Sequence, residues 1–410
     1  MEPLPPRAAH RATGVLVALR VGYAYNWFSV GPALPAIGAT FSVGPAAWGV
    51  LVAVFLAGAG AMQLPAGLLA RRYGPRRISL LGVALLSVAA LGSAAAPSFS
   101  ALLAARLLAG VGAGLFFSPA IGLVASLYPD GRRGVPVGIF SSAFSLGAAL
   151  GILGSSLLVP AFGWPVALAA GGAALGVTTL LAFGTLPAAA GAPEPARPPP
   201  GIPAAFRLRA VWAVGVAFVG FEGATFAATQ FVVPWGESVL GWSALLAGAV
   251  GMVFVLPSVA GGPVGGSFAE RFHRPRTQFV VAAVAAGAVL AVLPYGGLLA
   301  AVGVGSVFAF AYGFVYAVMY VIPYTWAGLP RREVPLAIGL FNAVQLAGGA
   351  GISALFGWLV AVRGYAVAWP ALGGMVVLTL GALAALPRGT PAAPGRRAAA
   401  RAAPPPGPGP

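Results

Sequence analysis

The chain has 410 residues, of which 59% are hydrophobic and 7% charged, and its net charge is +16; soluble domains are about half apolar and about a quarter charged. Domains of roughly 150 residues each would leave far too little polar surface here, so the composition argues for a membrane protein. Cysteine is absent and histidine occurs only at His10 and His273, which excludes disulfides, thiolate metal sites and multi-histidine centres; no metal or cofactor is expected.

Twelve apolar spans follow one another, at approximately 12–37, 46–70, 78–96, 100–127, 135–160, 165–187, 210–234, 243–267, 278–296, 298–326, 334–362 and 367–387. Each is near or above the roughly 20 residues that a helix needs to cross the hydrocarbon. Barrel strands would be about ten residues long and would alternate polar with apolar.

All 23 basic residues are arginine. Arg7 and Arg11 precede the first span. Arg71, Arg72, Arg76 and Arg77 follow the second, Arg132 and Arg133 the fourth, and Arg197, Arg207 and Arg209 the sixth. Arg271, Arg274 and Arg276 follow the eighth, Arg331 and Arg332 the tenth, and Arg388, Arg396, Arg397 and Arg401 the last. Turns after odd spans carry only Arg363. By the positive-inside rule every even turn and both termini are cytoplasmic, in a multi-pass cytoplasmic (inner) membrane protein of prokaryotic character. Arginines parcelled between apolar runs are unlike the single basic face of a nucleic-acid-binding domain, so no nucleic acid partner is expected. Membrane lipid is the expected surrounding.

The chain divides into a first six-helix bundle (1–187), a Pro/Ala-rich cytoplasmic linker (188–209), a second bundle (210–388) and a basic tail (389–410) expected to be disordered. The halves repeat: GLLARRYGPRR begins at Gly67 and GSFAERFHRPR at Gly266, an offset of 199 residues. Such repeats build secondary transporters with the solute site between them at mid-membrane.

With these motifs the sequence resembles the major facilitator superfamily. Gly67, Arg72, Gly74, Arg76 and Arg77 match the family's G-x-x-x-D-R-x-G-R-R signature, with Pro75 inserted, and Arg106, Gly110 and Gly112 match its R-x-x-x-G-x-G motif. The resemblance, over about 12–387, implies an all-α fold of about twelve transmembrane helices in two pseudo-symmetric six-helix bundles, and a transporter rather than an enzyme. It further implies that the basic turns form a cytoplasmic gate steadied by an acid. Arg71 stands at the signature's acidic position, so Glu270, beside Arg271, serves that role only in the second half, with Asp130 as a substitute partner for the first-half arginines. NWFSVGPALPAI (26–37) resembles the first helix of the anion:cation symporters, without the acid–arginine pair that precedes it there. The Gly-Pro pair of the drug:proton antiporters is absent from the fifth span.

Ionisable groups at bilayer depth cost about 2.5–3.5 kcal/mol each on insertion scales, so each asks for a reason. Glu222 is the only acid deep in a span; such a carboxyl can take up and release a proton, or serve as a structural acid tying helices together. Arg20 can grip an anionic solute through paired hydrogen bonds, or snorkel to the cytoplasmic interface. Arg106 belongs to a proton path or pairs with a neighbouring helix. Tyr23, Tyr25, Asn26, Gln230, Asn342 and Gln345 are candidate solute contacts and equally candidate hydrogen bonds between helices. Tyr312, Tyr316, Tyr320 and Tyr324 recur every four residues, as a cavity wall or as packing. Loose glycine patterns such as GVGAGL follow no strand, and the chain has no lysine, which excludes a nucleotide site of the Walker type.

The expected function is secondary active transport of a small organic solute, an anion rather than a cation, coupled to protons, with the direction and the choice among symport, antiport and uniport left open by the sequence. The alternatives are proton-driven efflux of lipophilic or cationic compounds and, in another class, a non-transporting membrane sensor or assembly partner. Nothing in the sequence sets an oligomeric state, and a monomer suffices.

Overall fold

The computed structural model describes residues 5–129, 132–186, 203–272, 274–326, 329–330 and 333–385. The first half holds α1 (Pro6–Phe28), α2 (Leu34–Phe41), α3 (Pro45–Tyr73), α4 (Pro75–Ala94), α5 (Phe99–Ser126), α6 (Gly134–Phe162) and α7 (Trp164–Thr185). A short α8 (Ala204–Arg207) precedes the second half, which holds α9 (Arg209–Leu240), α10 (Ala244–Val253), α11 (Ser258–Phe272), α12 (Pro275–Val292), α13 (Leu298–Val321), α14 (Val334–Arg363) and α15 (Tyr365–Thr379). Among the described residues eleven spans are long and apolar enough to cross a membrane, α10 and α11 together making one of them. The chain is thus an all-α, multi-pass membrane protein, as its apolar periodicity requires.

Helix ends follow local chemistry. Proline opens α3, α4 and α12, where its missing N–H is no loss. The Ser98 and Ser243 hydroxyls accept from Ala101 N and Leu246 N at the starts of α5 and α10, satisfying free N–H groups. Gly163 and Gly364, at φ +83° and +74°, make the tight joints α6–α7 and α14–α15 in a region that favours glycine.

Two expected spans are interrupted. The span expected over 12–37 breaks after Phe28, and a 3₁₀ turn over Gly31–Ala33 leads into α2. Pro32 lies in that turn and cannot continue an α-helical ladder. The span expected over 243–267 breaks between α10 and α11 at a turn that contains Pro257. The expected linker contains described structure at its end: α8, and the start of α9 at Arg209. Residues 188–202, the tail 389–410, Asp130, His273, Arg331 and Arg332 lie outside the described residues.

Within the first half α1 packs on α6 and α7, and α5 on α3 and α4; within the second, α11 and α12 pack on α13, α12 on α15, and α9 on α14. The halves meet where α3 lies along α14, where α6 meets α10, and where the broken end of α1 meets α9. Each half has an arginine capping the end of its last helix, one residue out of register with the repeat, since Arg276 matches Arg77 at the 199-residue offset. Arg76 Nε donates to Leu186 O at 3.1 Å and Nη2 to Phe183 O at 2.8 Å, at the end of α7. Arg276 Nη2 donates to Leu383 O at 3.1 Å, in the 3₁₀ turn after α15. A cation at a helix carboxyl end satisfies free carbonyls and the helix dipole together.

Helices without a hydrophobic drive to associate rely on close backbone approach at small residues. A Cβ on Gly112 would lie 2.5 Å from Leu86 N and 2.7 Å from Gly82 O, backbone atoms that cannot rotate aside. Gly112→Val is therefore expected to cost about 1–3 kcal/mol or more through overpacking. Thermal unfolding of the purified protein checks this. Gly122→Ala, in open space on the same helix, should leave the transition unchanged or raise it.

Candidate functional site

The buried polar groups of the spans form two sets, one in each half. On the first half, Arg20 is buried, with 6% of its surface exposed. Its Cζ lies 4.7 Å from the Tyr23 ring centroid, 4.4 Å from Phe117, 5.5 Å from Phe140 and 4.6 Å from Phe144. These rings come from α1, α5 and α6 and make a cage that favours a cation. The Arg20 Nε and Nη1 groups are buried and have no hydrogen-bond partner among the described residues. The guanidinium is thus enclosed by rings of three helices.

On the second half, Glu222 of α9 is 3% exposed, and its Oε2 accepts from Tyr312 OH at 3.1 Å. Below Tyr312 on α13 stand Tyr316 and Tyr320, with ring centroids 5.5 Å and 5.0 Å apart along the ladder. Tyr320 OH donates to Tyr316 OH at 3.1 Å. Asn342 Nδ2 donates to Tyr320 OH at 3.1 Å, and Gln345 Nε2 donates to Asn342 Oδ1 at 2.9 Å. Arg20 interacts electrostatically with Tyr316 and Tyr320, and Tyr23 with Glu222, so the two sets lie near one another where the halves meet.

Towards the end of α1, rings of the two halves pack together. Trp27 stands 5.3 Å from Phe226 of α9 and 4.8 Å from Phe55 of α3, centroid to centroid, and Phe28 stacks on Phe226 at 5.6 Å. Gln230 lies beyond them. Its Nε2 donates to Trp27 O at 2.8 Å, and its backbone and side chain back directly onto Gly31. It ties α9 to a carbonyl freed by the break in α1, away from Arg20.

Other sequence candidates are placed elsewhere. Tyr25 is wedged against Gly151, Gly154 and Gly171 of α6 and α7. Asn26 Nδ2 donates to Gly22 O at 2.8 Å and to Gly171 O at 3.0 Å. Both thus join helices within the first half instead of facing the second. Arg106 is buried, with its Cζ 4.3 Å from the Phe55 centroid and its Nη1 donating to Asn26 O at 3.3 Å. This bond lies at the carboxyl end of α1, and the Arg106 Nε is buried without a hydrogen-bond partner among the described residues.

At the basic turns, Gly74 adopts φ +90° between α3 and α4. Gly67 borders open space. Arg72 lies over its neighbour Tyr73 at 5.2 Å and Arg271 over Phe272 at 5.7 Å. Arg77 and Glu270 are exposed. Among the described residues no ion pair holds Glu270. A carboxylate that sequence reasoning passed over does have a partner: Glu333, buried beside the start of α14, accepts from Ala205 N of α8 at 3.1 Å. Among the described residues no cluster of histidine or acidic groups could hold a metal.

The overall architecture is that of known membrane transporters. The chain superposes on a crystal structure of a D-xylose–proton symporter with a TM-score of 0.72 at 15% identity, over 92% of this chain and 98% of the other. It is 32% identical over 136 residues to the multidrug resistance protein Stp of Mycobacterium tuberculosis, covering 33% of this chain and 25% of that one. It is 32% identical over 126 residues to a probable 4-methylmuconolactone transporter of Cupriavidus pinatubonensis, covering 31% of this chain and 29% of that one. The chain thus aligns with under a third of the length of either relative. The family model for the Major Facilitator Superfamily matches residues 16–329, more than half of the chain, and the protein belongs to that superfamily.

Proposed function

We infer that the protein is a secondary active transporter that moves a small organic anion across the cytoplasmic membrane by alternating access, coupled to protons through Glu222. The observation that carries the solute class is the Arg20 guanidinium, buried between the halves with Nε and Nη1 unpaired. A buried donor without a partner costs about 1–3 kcal/mol, more when charged. A carboxylate satisfies two parallel guanidinium N–H groups at once. Tyr316, Asn342 and Gln345 line the opposite wall and supply neutral hydrogen-bonding groups to orient the solute. Glu222 faces the same space, where a carboxyl that exchanges its proton with each side in turn couples solute movement to a proton gradient. The arginine-rich turns, with Arg72, Arg76, Arg77, Arg271 and Glu270, sit on the cytoplasmic side together with both termini, and act there as the gate.

The ring-rich walls favour a second reading, export of lipophilic compounds, in line with the name of the Mycobacterium relative. The two readings separate by mutation. Arg20→Ala abolishes transport of an organic anion and spares export of a lipophilic cation, whereas Glu222→Gln impairs the second most.

Proton binding by the purified, solute-free protein in detergent is the direct test of coupling. The wild type is expected to release one proton more than Glu222→Gln as pH is raised. Identical release by both proteins would remove Glu222 as the coupling group and leave facilitated diffusion or another ion.

A further inference from the structure

We propose that the α13 tyrosine ladder is a directional proton relay, in which Tyr320 and Tyr316 connect Glu222 to the side of the membrane where α13 ends. The proposal rests on the reading of Glu222 as a proton carrier and adds the route by which its proton travels.

The hydrogen-bond pattern gives the chain a direction. A hydroxyl has one proton to donate, and an amide presents a donor on one side and an acceptor on the other. In the orientation that the Asn342 amide adopts, its Oδ1 accepts from Gln345 Nε2 at 2.9 Å and its Nδ2 faces Tyr320. Asn342 Nδ2 in turn donates to Tyr320 OH at 3.1 Å. The Tyr320 hydroxyl is thereby held as an acceptor from Asn342. Its own proton has two acceptors in reach, Tyr316 OH at 3.1 Å and, longer, Asn342 Oδ1 at 3.3 Å. The shorter bond points up the ladder, and it leaves the Tyr316 proton free to point towards Tyr312 and Glu222. Tyr312 OH already donates to Glu222 Oε2 at 3.1 Å.

The three tyrosines are half-buried, whereas Glu222, Asn342 and Gln345 are buried. No direct hydrogen bond joins Tyr316 to Tyr312 among the described residues, their rings standing 5.5 Å apart, and the relay takes that step through one bridging water. Among the described residues, the other ionisable groups that interact with this line are Arg20 and Tyr23 of α1, in electrostatic range of the ladder and of Glu222 respectively.

A proton entering the line is taken by the Tyr320 oxygen as that group passes its own proton to Tyr316. Tyr316 passes a proton on through water and Tyr312, and Glu222 gains one. Every hydroxyl ends neutral, with its hydrogen bond reversed, and one proton has moved from water to carboxylate. Asn342 and Gln345 exchange no proton; they are positioning residues that set the resting direction.

The test is a stopped-flow pH jump on the full-length protein in detergent, with a soluble pH dye reporting both the number of protons taken up and the rate. Tyr320→Phe and Tyr316→Phe keep the ring packing and delete one hydroxyl each. Both are expected to take up the same number of protons as wild type, at a rate lower by at least about tenfold, a floor set below the roughly 10²–10⁴-fold that a positioned proton-transfer group contributes. Asn342→Leu, which removes the polarising amide and leaves both hydroxyls, should fall between them and wild type. A thermal scan of each variant shows whether it is folded, a property the rate does not report. If Glu222→Gln lacks the proton and the tyrosine variants load it at the wild-type rate, the relay is overturned and the Glu222 reading stands. If wild type and Glu222→Gln take up equal numbers of protons, the Glu222 reading fails and the relay falls with it.

Discussion

Arg20→Met is expected to raise the thermal stability of the protein and, in the same variant, to abolish stabilisation by organic carboxylates. Arg20 is a buried cation whose Nε and Nη1 find no acceptor among the described residues. Replacing a buried ion pair by well-packed apolar side chains is often neutral or stabilising by about 1–4 kcal/mol, and Arg20 has no acidic partner to lose. Methionine is unbranched and adapts to the space between Tyr23, Phe117, Phe140 and Phe144. The variant loses the attraction of those rings for a cation, about 0.5–2 kcal/mol, so the net gain is expected at the lower end of the range. A bound anion adds about 2.7 kcal/mol of stability to the wild type at a hundredfold excess over its dissociation constant, and none to the variant. Unfolding scans against a panel of aliphatic and aromatic carboxylates read both effects. A variant that melts lower and still responds to a carboxylate would make Arg20 a structural residue and remove the argument for an anion. Stability given up at a residue that function requires is what a binding site predicts.

The architecture was legible because it is written in one dimension. Apolar length marks each span, and arginine at every second turn fixes the count, so an error in one would have broken the other. The interruptions were not legible, since Gly31, Pro32 and Pro257 sit inside runs as apolar as any other, and only the packing of α9 against the freed end of α1 gives the first break its meaning. Within α1 a stricter reading of helical geometry would have divided the candidates. Tyr23 and Trp27 lie three and seven residues after Arg20 and share its face. Tyr25 and Asn26 are turned away from it, and they pack on Gly171 of α7. The same spacing puts Glu222, Phe226 and Gln230 in one row on α9. Glu333 carried no such signal, because its partner is the backbone of Ala205, 128 residues away in sequence.

The largest conformational effect is expected where α3 and α14 touch most closely. A Cβ on Gly357 would lie 2.5 Å from Pro45 O and 2.8 Å from Gly49 N and Cα. A Cβ on Gly49 would lie 2.7 Å from Ser353 O. These are backbone contacts between the halves near the amino end of α3 and the carboxyl end of α14, on the arginine-poor side of the membrane. The packing has no side chain that could yield, so Gly357→Val must separate the helices at that level. Gln230 and Gly31 close the same side, and Val30 beside them is only 2% exposed. The chain contains no cysteine, so Val30→Cys is a single thiol that reports on this closure. A membrane-impermeant maleimide added on that side should label Val30→Cys slowly and the Gly357→Val double variant at least about tenfold faster, a population shift of about 1.4 kcal/mol towards the state open on that side. Gly351→Val is the control, since a Cβ there meets open space on the same helix and should leave labelling unchanged. Equal acceleration in both variants would mean that α14 is loosened as a whole. Unchanged labelling in Gly357→Val would mean that the α3–α14 contact does not hold this side shut, and that closure resides in the Gln230 tie and the rings of Trp27, Phe28 and Phe226.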